Sequence, residues 1–229
     1  MRLVFSYIAM LGLLAGSATS SNASSAPSPL PAPEGLSPCP PGDPAALAVS
    51  GVAAKLGGEI LGCFLSGRKL MPPDATKAGA DSVENAFAIA LRGEIYTIAD
   101  LDKLLSHVKD QWKEFKPLDG SLKGSYISEL NKILTENSSL PTPGVVSIKP
   151  ILVSIDRPSD KYYRVTSIRT YNLEANGERI KLTKINVDAV VLQRSHLIRL
   201  TIQRTLNVPA DVMEIQSEMA NWARAIAQG

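Results

Sequence analysis

Between residues 146 and 206, hydrophobic side chains recur at every second position, which is the pattern of β-strands with one buried face. Four strands are predicted, over Val146–Ile155, Tyr162–Leu173, Glu178–Leu192 and Leu197–Leu206. Asn176-Gly177 separates the second from the third and is typical of a two-residue type I′ hairpin, because both turn residues need positive φ. The C-terminal half is therefore predicted to form an antiparallel meander.

The third predicted strand changes phase along its length. Ile180 and Leu182 share one parity, whereas the apolar residues from Ile185 to Val191 share the other. We expect a bulge or bend near Thr183-Lys184, since one inserted residue turns the following side chains to the opposite face.

Two more strands are predicted earlier in the chain. Glu59–Ser66 is a short apolar run, and the stretch from Asn85 to Gly93 alternates large side chains with alanines. Its large residues, Phe87, Ile89 and Leu91, should enter a core. The alanine face should then lie closely under another element.

Helices are predicted where the apolar period lengthens to three or four residues. One helix follows Thr97 as N-cap, with Asp100 in its first turn. Its stripe consists of Leu101, Leu104, Leu105, Val108, Trp112 and Phe115. A last helix follows Pro209, with a stripe of Val212, Ile215, Met219, Trp222 and Ile226. Further helices are predicted between Asp43 and Gly58 and over Tyr126–Thr135.

These elements predict an α+β domain: an antiparallel meander sheet with helices packed on one face and the C-terminal helix folded back on the sheet. This order of elements is similar to the fold shared by the Mog1 and PsbP proteins, in which a twisted antiparallel sheet is flanked by helices. The resemblance is one of topology, and it implies no site residues.

The N-terminus has the layout of a secretory signal peptide, predicted over residues 1–23. Arg2 precedes an apolar run from Leu3 to Leu14, and small residues follow that permit cleavage after Ala18 or Ala23. The run is shorter than the roughly 20 residues of a membrane-spanning helix. The mature chain is therefore expected to lack a transmembrane segment and to reside in the periplasm or outside the cell.

Seven prolines between Pro27 and Pro41 favour extended structure, so residues 24–42 are predicted to be a disordered arm. Residues 43–229 are enough for one domain with its own core. The only two cysteines are Cys39 and Cys63, and an exported protein usually joins such a pair in a disulfide. A reactive thiol is the alternative, but neither cysteine has C-x-x-C spacing or a cluster of cations beside it.

No catalytic residue, metal site or cofactor site is predicted. His107 and His196 each lack the second histidine that zinc-type spacing requires. Two S-x-x-K matches begin at Ser66 and Ser106, with Lys69 and Lys109 as the lysines, but no K-T-G follows either of them. We interpret both matches as coincidental.

Charge is unevenly distributed along the chain. From Lys149 to Arg204 there are eleven basic and five acidic residues, a difference of +6, whereas the whole chain is +2. The excess is either a solvated sheet face or a surface that faces an anion. For the second interpretation the candidate binding residues, expected close together on the face opposite Ile198, are Arg164, Arg179, Lys181, Arg199 and Gln203.

The sequence thus favours an exported, non-catalytic binding or accessory domain whose partner is an anionic envelope component or a protein. Nucleic acid is excluded as a partner because the chain is exported and the predicted wet face lacks aromatic residues. The alternative is a cell-envelope hydrolase whose site the sequence does not reveal. Asn137 is a glycosylation acceptor only in a eukaryotic host.

Overall fold

The computed structural model describes residues 30–40, 43, 46, 49–50, 53–54, 58–66, 85–93, 95–115, 146–147, 150–175 and 178–229. Within residues 146–147, 171–175 and 178–182 it describes the backbone alone.

An antiparallel sheet and two continuous helices are the main elements of the described part of the chain. The strands are β1 Leu36–Pro38, β2 Gly58–Ser66, β3 Asn85–Leu91, β4 Val146–Ser147, β5 Ile151–Ser159, β6 Tyr162–Ala175, β7 Glu178–Gln193 and β8 His196–Thr205. The helices are α1 Ile98–Gln111 and α2 Ala210–Gln228. The sheet order is β1-β2-β3-β8-β7-β6-β4, and β5 pairs with β6 along the same edge as β4. The predicted α+β class is confirmed.

Most predicted boundaries lie within a few residues of the observed ones. The first strand of the meander is divided into β4 and β5, and the hairpin between β6 and β7 closes with Ala175 opposite Glu178, leaving a two-residue loop. That loop and the predicted helix Tyr126–Thr135 lie outside the described residues. Between Asp43 and Gly58, the described residues 46, 49, 50, 53 and 54 are helical.

The bulge expected near Thr183-Lys184 is absent from the pairing of β6 with β7, which continues without a register shift. Instead, the pairing of β7 with β8 ends at Lys184 opposite Thr205. Among the described strands, the earlier part of β7 therefore has only β6 beside it. The change of parity therefore coincides with the loss of a neighbouring strand and not with an inserted residue.

The described helices cover opposite faces of the sheet, which differs from the expectation that helices lie on one face. Under α2 lies a core that contains the alanine face of β3 and one parity of β6, β7 and β8: Ala86, Ala88, Ile168, Ile185, Val187, Ala189, Val191, Ile198, Leu200 and Ile202. Under α1 lies a second core with the other parity: Ile89, Leu91, Tyr163, Val165, Val190 and Leu197. Successive residues of a strand point to opposite faces of the sheet. Because apolar residues occupy both faces, each face packs against a helix.

Helix α1 begins where the sequence predicts. The Thr97 side chain accepts a hydrogen bond from the Asp100 amide at 3.4 Å, and the Asp100 carboxylate accepts one from the Thr97 amide at 3.0 Å. This reciprocal capping box satisfies backbone donors that the first helical turn leaves unpaired. At the other end Trp112 is 3% exposed and meets the Phe115 ring edge to face at 4.8 Å.

Helix α2 is held on the sheet by its apolar stripe and by polar contacts beside it. All five predicted stripe residues are buried. On the β8 side, Arg204 donates from Nη2 to both Glu218 oxygens at 2.6 and 2.7 Å. On the other side, Gln216 donates to Ser154 Oγ at 3.2 Å and to Thr166 Oγ1 at 3.0 Å. The apolar stripe holds α2 against the sheet, and these polar contacts determine the rotation of the helix and its position along the strands.

Residues 30–40 of the proline-rich arm are ordered against the domain, which differs from the expected disorder. Leu36, in β1, is part of the core under α2, and the Trp222 indole donates to the Pro31 carbonyl oxygen at 2.8 Å. The predicted Cys39–Cys63 disulfide is present, with Cα atoms 5.3 Å apart, and the Cys39 amide donates to the Cys63 carbonyl oxygen. Buried leucine, backbone pairing and a covalent link thus offset the tendency of proline-rich chain to remain extended and solvated.

Candidate functional site

The five residues proposed as a basic face do not form one surface. Arg199 and Gln203 share the parity of Leu197 and project on the α1 side of the sheet, whereas Arg164 contacts α2 on the opposite side. Arg179 and Lys181 lie on the β7 backbone, and their side chains are outside the described part of the chain.

Distance along β7 separates these residues further. Arg199 pairs with Val190, and Lys181 lies nine residues before Val190 on β7 (190 minus 181). At about 3.3 Å per residue, that separation is about 30 Å. The expectation that these cations lie close together is therefore wrong. The basic residues that are near one another in the sequence are spread over both faces of the sheet and along the length of β7.

Arg164 is engaged in fixing α2. Its Nε donates to Asp156 Oδ2 at 2.6 Å, and its Nη1 donates to the Gln216 carbonyl oxygen at 2.8 Å. The side chain is 18% exposed. The Arg164 guanidinium thus links β5 to the backbone of α2. This structural role accounts for its position without a ligand.

The sheet face beneath α1 changes character along the strands. At the α1 end it is apolar, with Ile89, Val190 and Leu197 in the core. Toward the other end, most of the equivalent positions of β3, β6, β7 and β8 are polar, although Phe87 and Val165 also lie there, opposite Thr201 and Asp188. We call this set the polar half-face: Asn85, Ser167, Arg169, Lys184, Asn186, Asp188, Arg199, Thr201 and Gln203.

Four polar side chains stand side by side across the central strands of this half-face. Asn85 pairs with Gln203, Gln203 with Asn186, and Asn186 with Ser167. Paired residues of antiparallel strands project to the same side, so this row spans three strand spacings, or about 14 Å. Asn186 is only 4% exposed and Ser167 only 2%. Asn85 and Gln203 are half-buried. Such a row of amides and a hydroxyl in the middle of a sheet is unusual, since buried polar groups require partners.

Asp188 is the acidic centre next to this row. Its Oδ1 accepts from Arg199 Nη2 at 2.8 Å, from Arg199 Nε at 3.3 Å and from Thr201 Oγ1 at 2.7 Å. Burial by itself raises the pKa of Asp188, but the charge and hydrogen bonds of Arg199, the Thr201 hydroxyl and the charge of Arg169 lower it more. The net pKa lies below the usual value, so Asp188 is ionised at neutral pH and acts as the electrostatic partner of Arg199.

Lys184 lies on the same face of β7 as Asp188, on the other side of Asn186. Burial lowers the pKa of its ammonium group, and Lys184 makes no ion pair within the described residues. Lys184 is therefore a partly desolvated cation on a face where Arg199 is already paired with Asp188. Such a cation attracts an anion more strongly than a fully solvated one does.

The described parts of the chain contain no group of three or more His, Cys, Asp or Glu side chains placed to hold a metal ion. His107 and His196 are exposed, as are Ser106 and Lys109 on α1. Ser66 ends β2, and Lys69 lies outside the described residues.

Sequence reasoning found Arg199 and Gln203 in the half-face but missed its other members. Lys184, Asn186 and Asp188 carry a visible signal, because they are consecutive polar residues of one parity opposite the apolar set from Ile185 to Val191. Asn85 carries no such signal. Its place beside Gln203 depends on the pairing of β3 with β8, which joins distant parts of the chain.

Comparison with known proteins adds little to this description. No family model matches the chain, and no curated protein matches it. One similar solved structure is described as the crystal structure of LpqN involved in cell envelope biogenesis of Mycobacterium tuberculosis; it has a TM-score of 0.27 and 13% identity and covers 76% of each chain. A TM-score this low does not establish a shared fold. Among the described helices, none is long and apolar enough to cross a membrane.

Proposed function

We propose that this protein is exported to the cell envelope and serves there as a binding domain for an anionic component. The observation that carries the binding role is Lys184 of the polar half-face, a partly buried cation that makes no ion pair within the described residues, next to an Arg199 that is paired with Asp188. A partly desolvated cation attracts anions more strongly than a solvated cation does, because the local dielectric constant is lower.

The disulfide supports the exported location. Cys39 and Cys63 are joined, so no free cysteine is present in the described residues. Disulfides of this kind persist in oxidising compartments and are rare in the cytosol. The bond attaches the arm to β2, so that the segment following the predicted signal peptide leads directly into the folded domain.

Location is tested by fractionating cells of the native host and determining the mature N-terminus by mass spectrometry. We expect the protein in the envelope or the medium, starting at Thr19 or Ser24, with no titratable thiol. A cytosolic protein that begins at Met1 and has two free thiols would refute the exported location.

Binding is tested by retention of the purified mature protein on envelope fractions at low and at physiological salt. Retention should weaken with salt, because screening reduces charge attraction. Lys184→Gln should reduce retention, whereas the matched control Lys109→Gln, an exposed lysine of α1, should leave it unchanged. Salt-insensitive retention, or equal loss in both variants, would contradict binding by the polar half-face.

A further inference from the structure

Residues 30–40 of the arm are attached to the domain by few noncovalent contacts. Only Pro33 and Leu36 in this segment are buried, whereas its other residues are exposed or half-buried. β1 forms three residue pairs with β2, and the Trp222 indole donates to the Pro31 carbonyl oxygen at 2.8 Å. Ordering the segment costs conformational entropy at each of its residues. The covalent bond is therefore expected to be the main attachment of the arm.

The disulfide joins the arm to β2 where their pairing ends. Pro38 pairs with Phe64, so the next two residues, Cys39 and Cys63, lie opposite each other, and the Cys39 amide donates to the Cys63 carbonyl oxygen at 2.8 Å. Both cysteines are half-buried, and β1 is the outermost strand at this edge of the described sheet. A half-buried bond at a sheet edge is open to an external thiolate, and such access is a requirement of thiol–disulfide exchange.

The arm covers apolar side chains at this edge. Leu36 belongs to the core under α2, together with Phe64 of β2 and Trp222 of α2. Phe64 is 5% exposed and Trp222 is 3% exposed, and their rings meet edge to face at 5.8 Å. Removal of the arm would therefore expose part of this aromatic pair and the outer backbone groups of β2.

We propose that the arm is a strap that the disulfide holds closed and that an external dithiol releases. One thiolate of the dithiol attacks a sulfur of the Cys39–Cys63 bond and forms a mixed disulfide, which the second thiolate then resolves. The dithiol loses two electrons and two protons and becomes a disulfide, and the two cysteines gain them as thiols. Exposure of the β2 edge thus depends on the redox state of the compartment.

The rest of the domain is expected to stay folded when the strap opens. The pairings of β2, β3, β8, β7 and β6 do not include the arm, and the buried stripe of α2 still packs on the sheet. Opening is therefore a local event at the edge of the domain. This device goes beyond the proposed function and does not depend on the polar half-face.

The first test is hydrogen exchange of the purified mature protein, with and without dithiothreitol, followed by mass spectrometry of its peptides. Reduction should speed exchange in the peptides that contain β1 and residues 64–66 by about tenfold or more, because the covalent restriction is lost. Peptides from β7 and β8 should exchange as slowly as before. Alkylation of both cysteines shows that reduction is complete.

Three results would overturn the strap. A native bond that dithiothreitol does not reduce would show that an external dithiol has no access to it. Unchanged exchange in the arm after complete reduction would show that the noncovalent contacts hold the arm. Loss of protection in β7 and β8 together with the arm would show that the bond supports the whole fold.

The second test uses two variants. Cys39→Ser combined with Cys63→Ser should exchange rapidly in the arm whether or not dithiothreitol is present, and slow exchange in β7 shows that the domain is folded. The matched control is Glu34→Gln, an exposed position of the arm, which should follow the wild type in both redox states. A folded double-serine variant whose arm is as protected as that of the oxidised wild type would contradict the proposal.

Discussion

Arg194 and Ser195 form a two-residue turn between β7 and β8 in which both residues have positive φ, 45° and 67°. Gln193 pairs with His196 across the turn, so the loop has the geometry that Asn-Gly normally supplies. Residues with a Cβ atom are disfavoured there by roughly 1 kcal/mol each. The strands impose this turn on a sequence without the usual turn residues.

Replacing the turn by Asn-Gly, as Arg194→Asn with Ser195→Gly, should stabilise the protein by about 0.5 to 1 kcal/mol, because the strain at positive φ is relieved. Urea denaturation measures the change. Gly35→Ala is the control of opposite sign: Gly35 has φ of 75°, and no atom lies near a Cβ built there, so any loss is a backbone effect. A less stable Asn-Gly variant would show that the Arg194 or Ser195 side chain contributes more than the strain.

Asp188 makes a pH-dependent contribution to stability. Its pKa is lowered in the folded state, so the contribution is complete above the unfolded value of about 3.9 and is lost as pH falls through the lower folded value. Asp188→Asn should therefore lower the free energy of unfolding by about 1 to 3 kcal/mol at neutral pH. The gap between the two proteins should shrink in acid below about pH 4.

Denaturation of both proteins from neutral pH into acid gives this gap directly, because titrations at other sites cancel in the difference. A gap that stays constant with pH would mean that the ionised form of Asp188 has no special stabilisation by Arg199 and Thr201.

At the scale of the element, α2 depends on its buried stripe more than on its own helical propensity. The helix has no side-chain N-cap bond, and its first turn is supported by Asp211, whose carboxylate accepts from the Asn207 and Val208 amides at 2.7 and 2.9 Å. Trp222 fills the core at the far end, meeting Phe64 edge to face at 5.8 Å. Most of the helix's stability is therefore expected to come from tertiary packing.

Trp222→Ala should lower the free energy of unfolding by about 3 to 5 kcal/mol, because it opens a cavity in the core and removes the bond to Pro31. Met213→Ala on the same helix is the matched control, since Met213 is 69% exposed and should lose less than about 0.5 kcal/mol. Chemical denaturation followed by far-ultraviolet circular dichroism measures both. Similar losses in the two variants would mean that the assigned buried face of α2 is wrong.

At the scale of the whole molecule, the arm is attached at one edge of the sheet by β1, by the Pro31–Trp222 hydrogen bond and by the disulfide. The bond closes a loop with a sequence separation of 24 residues. Chain-entropy arguments give such a loop roughly 3 to 4 kcal/mol of stabilisation by restricting the unfolded chain.

Replacing both cysteines with serine should lower the free energy of unfolding by roughly that amount and should make the arm the first site of limited proteolysis. The wild type treated with a reductant should behave in the same way, whereas the variant should not respond to reductant. A variant as stable and as protease-resistant as the wild type would show that β1 and the Trp222 bond hold the arm without the disulfide.

The sequence by itself determined the local elements of this protein. Alternation placed the strands of the meander, the capping box placed the start of α1, and the stripes identified the buried faces of both helices. The cysteine count and the predicted export indicated the disulfide. These features depend on neighbouring residues, whose spacing relates directly to one turn of helix or one step of strand.

Only the tertiary structure decided which face each element covers and which polar residues meet. The pairing of β3 with β8 brings Asn85 beside Gln203, and the phase change in β7 coincides with the end of β8 at Thr205. The basic residues counted together in the sequence lie on two faces of the sheet. Arg164 contacts α2, and Arg199 pairs with Asp188 on the opposite face. The physical reason is that strand alternation specifies two faces but not their covers, and contacts between distant segments leave no period in the sequence.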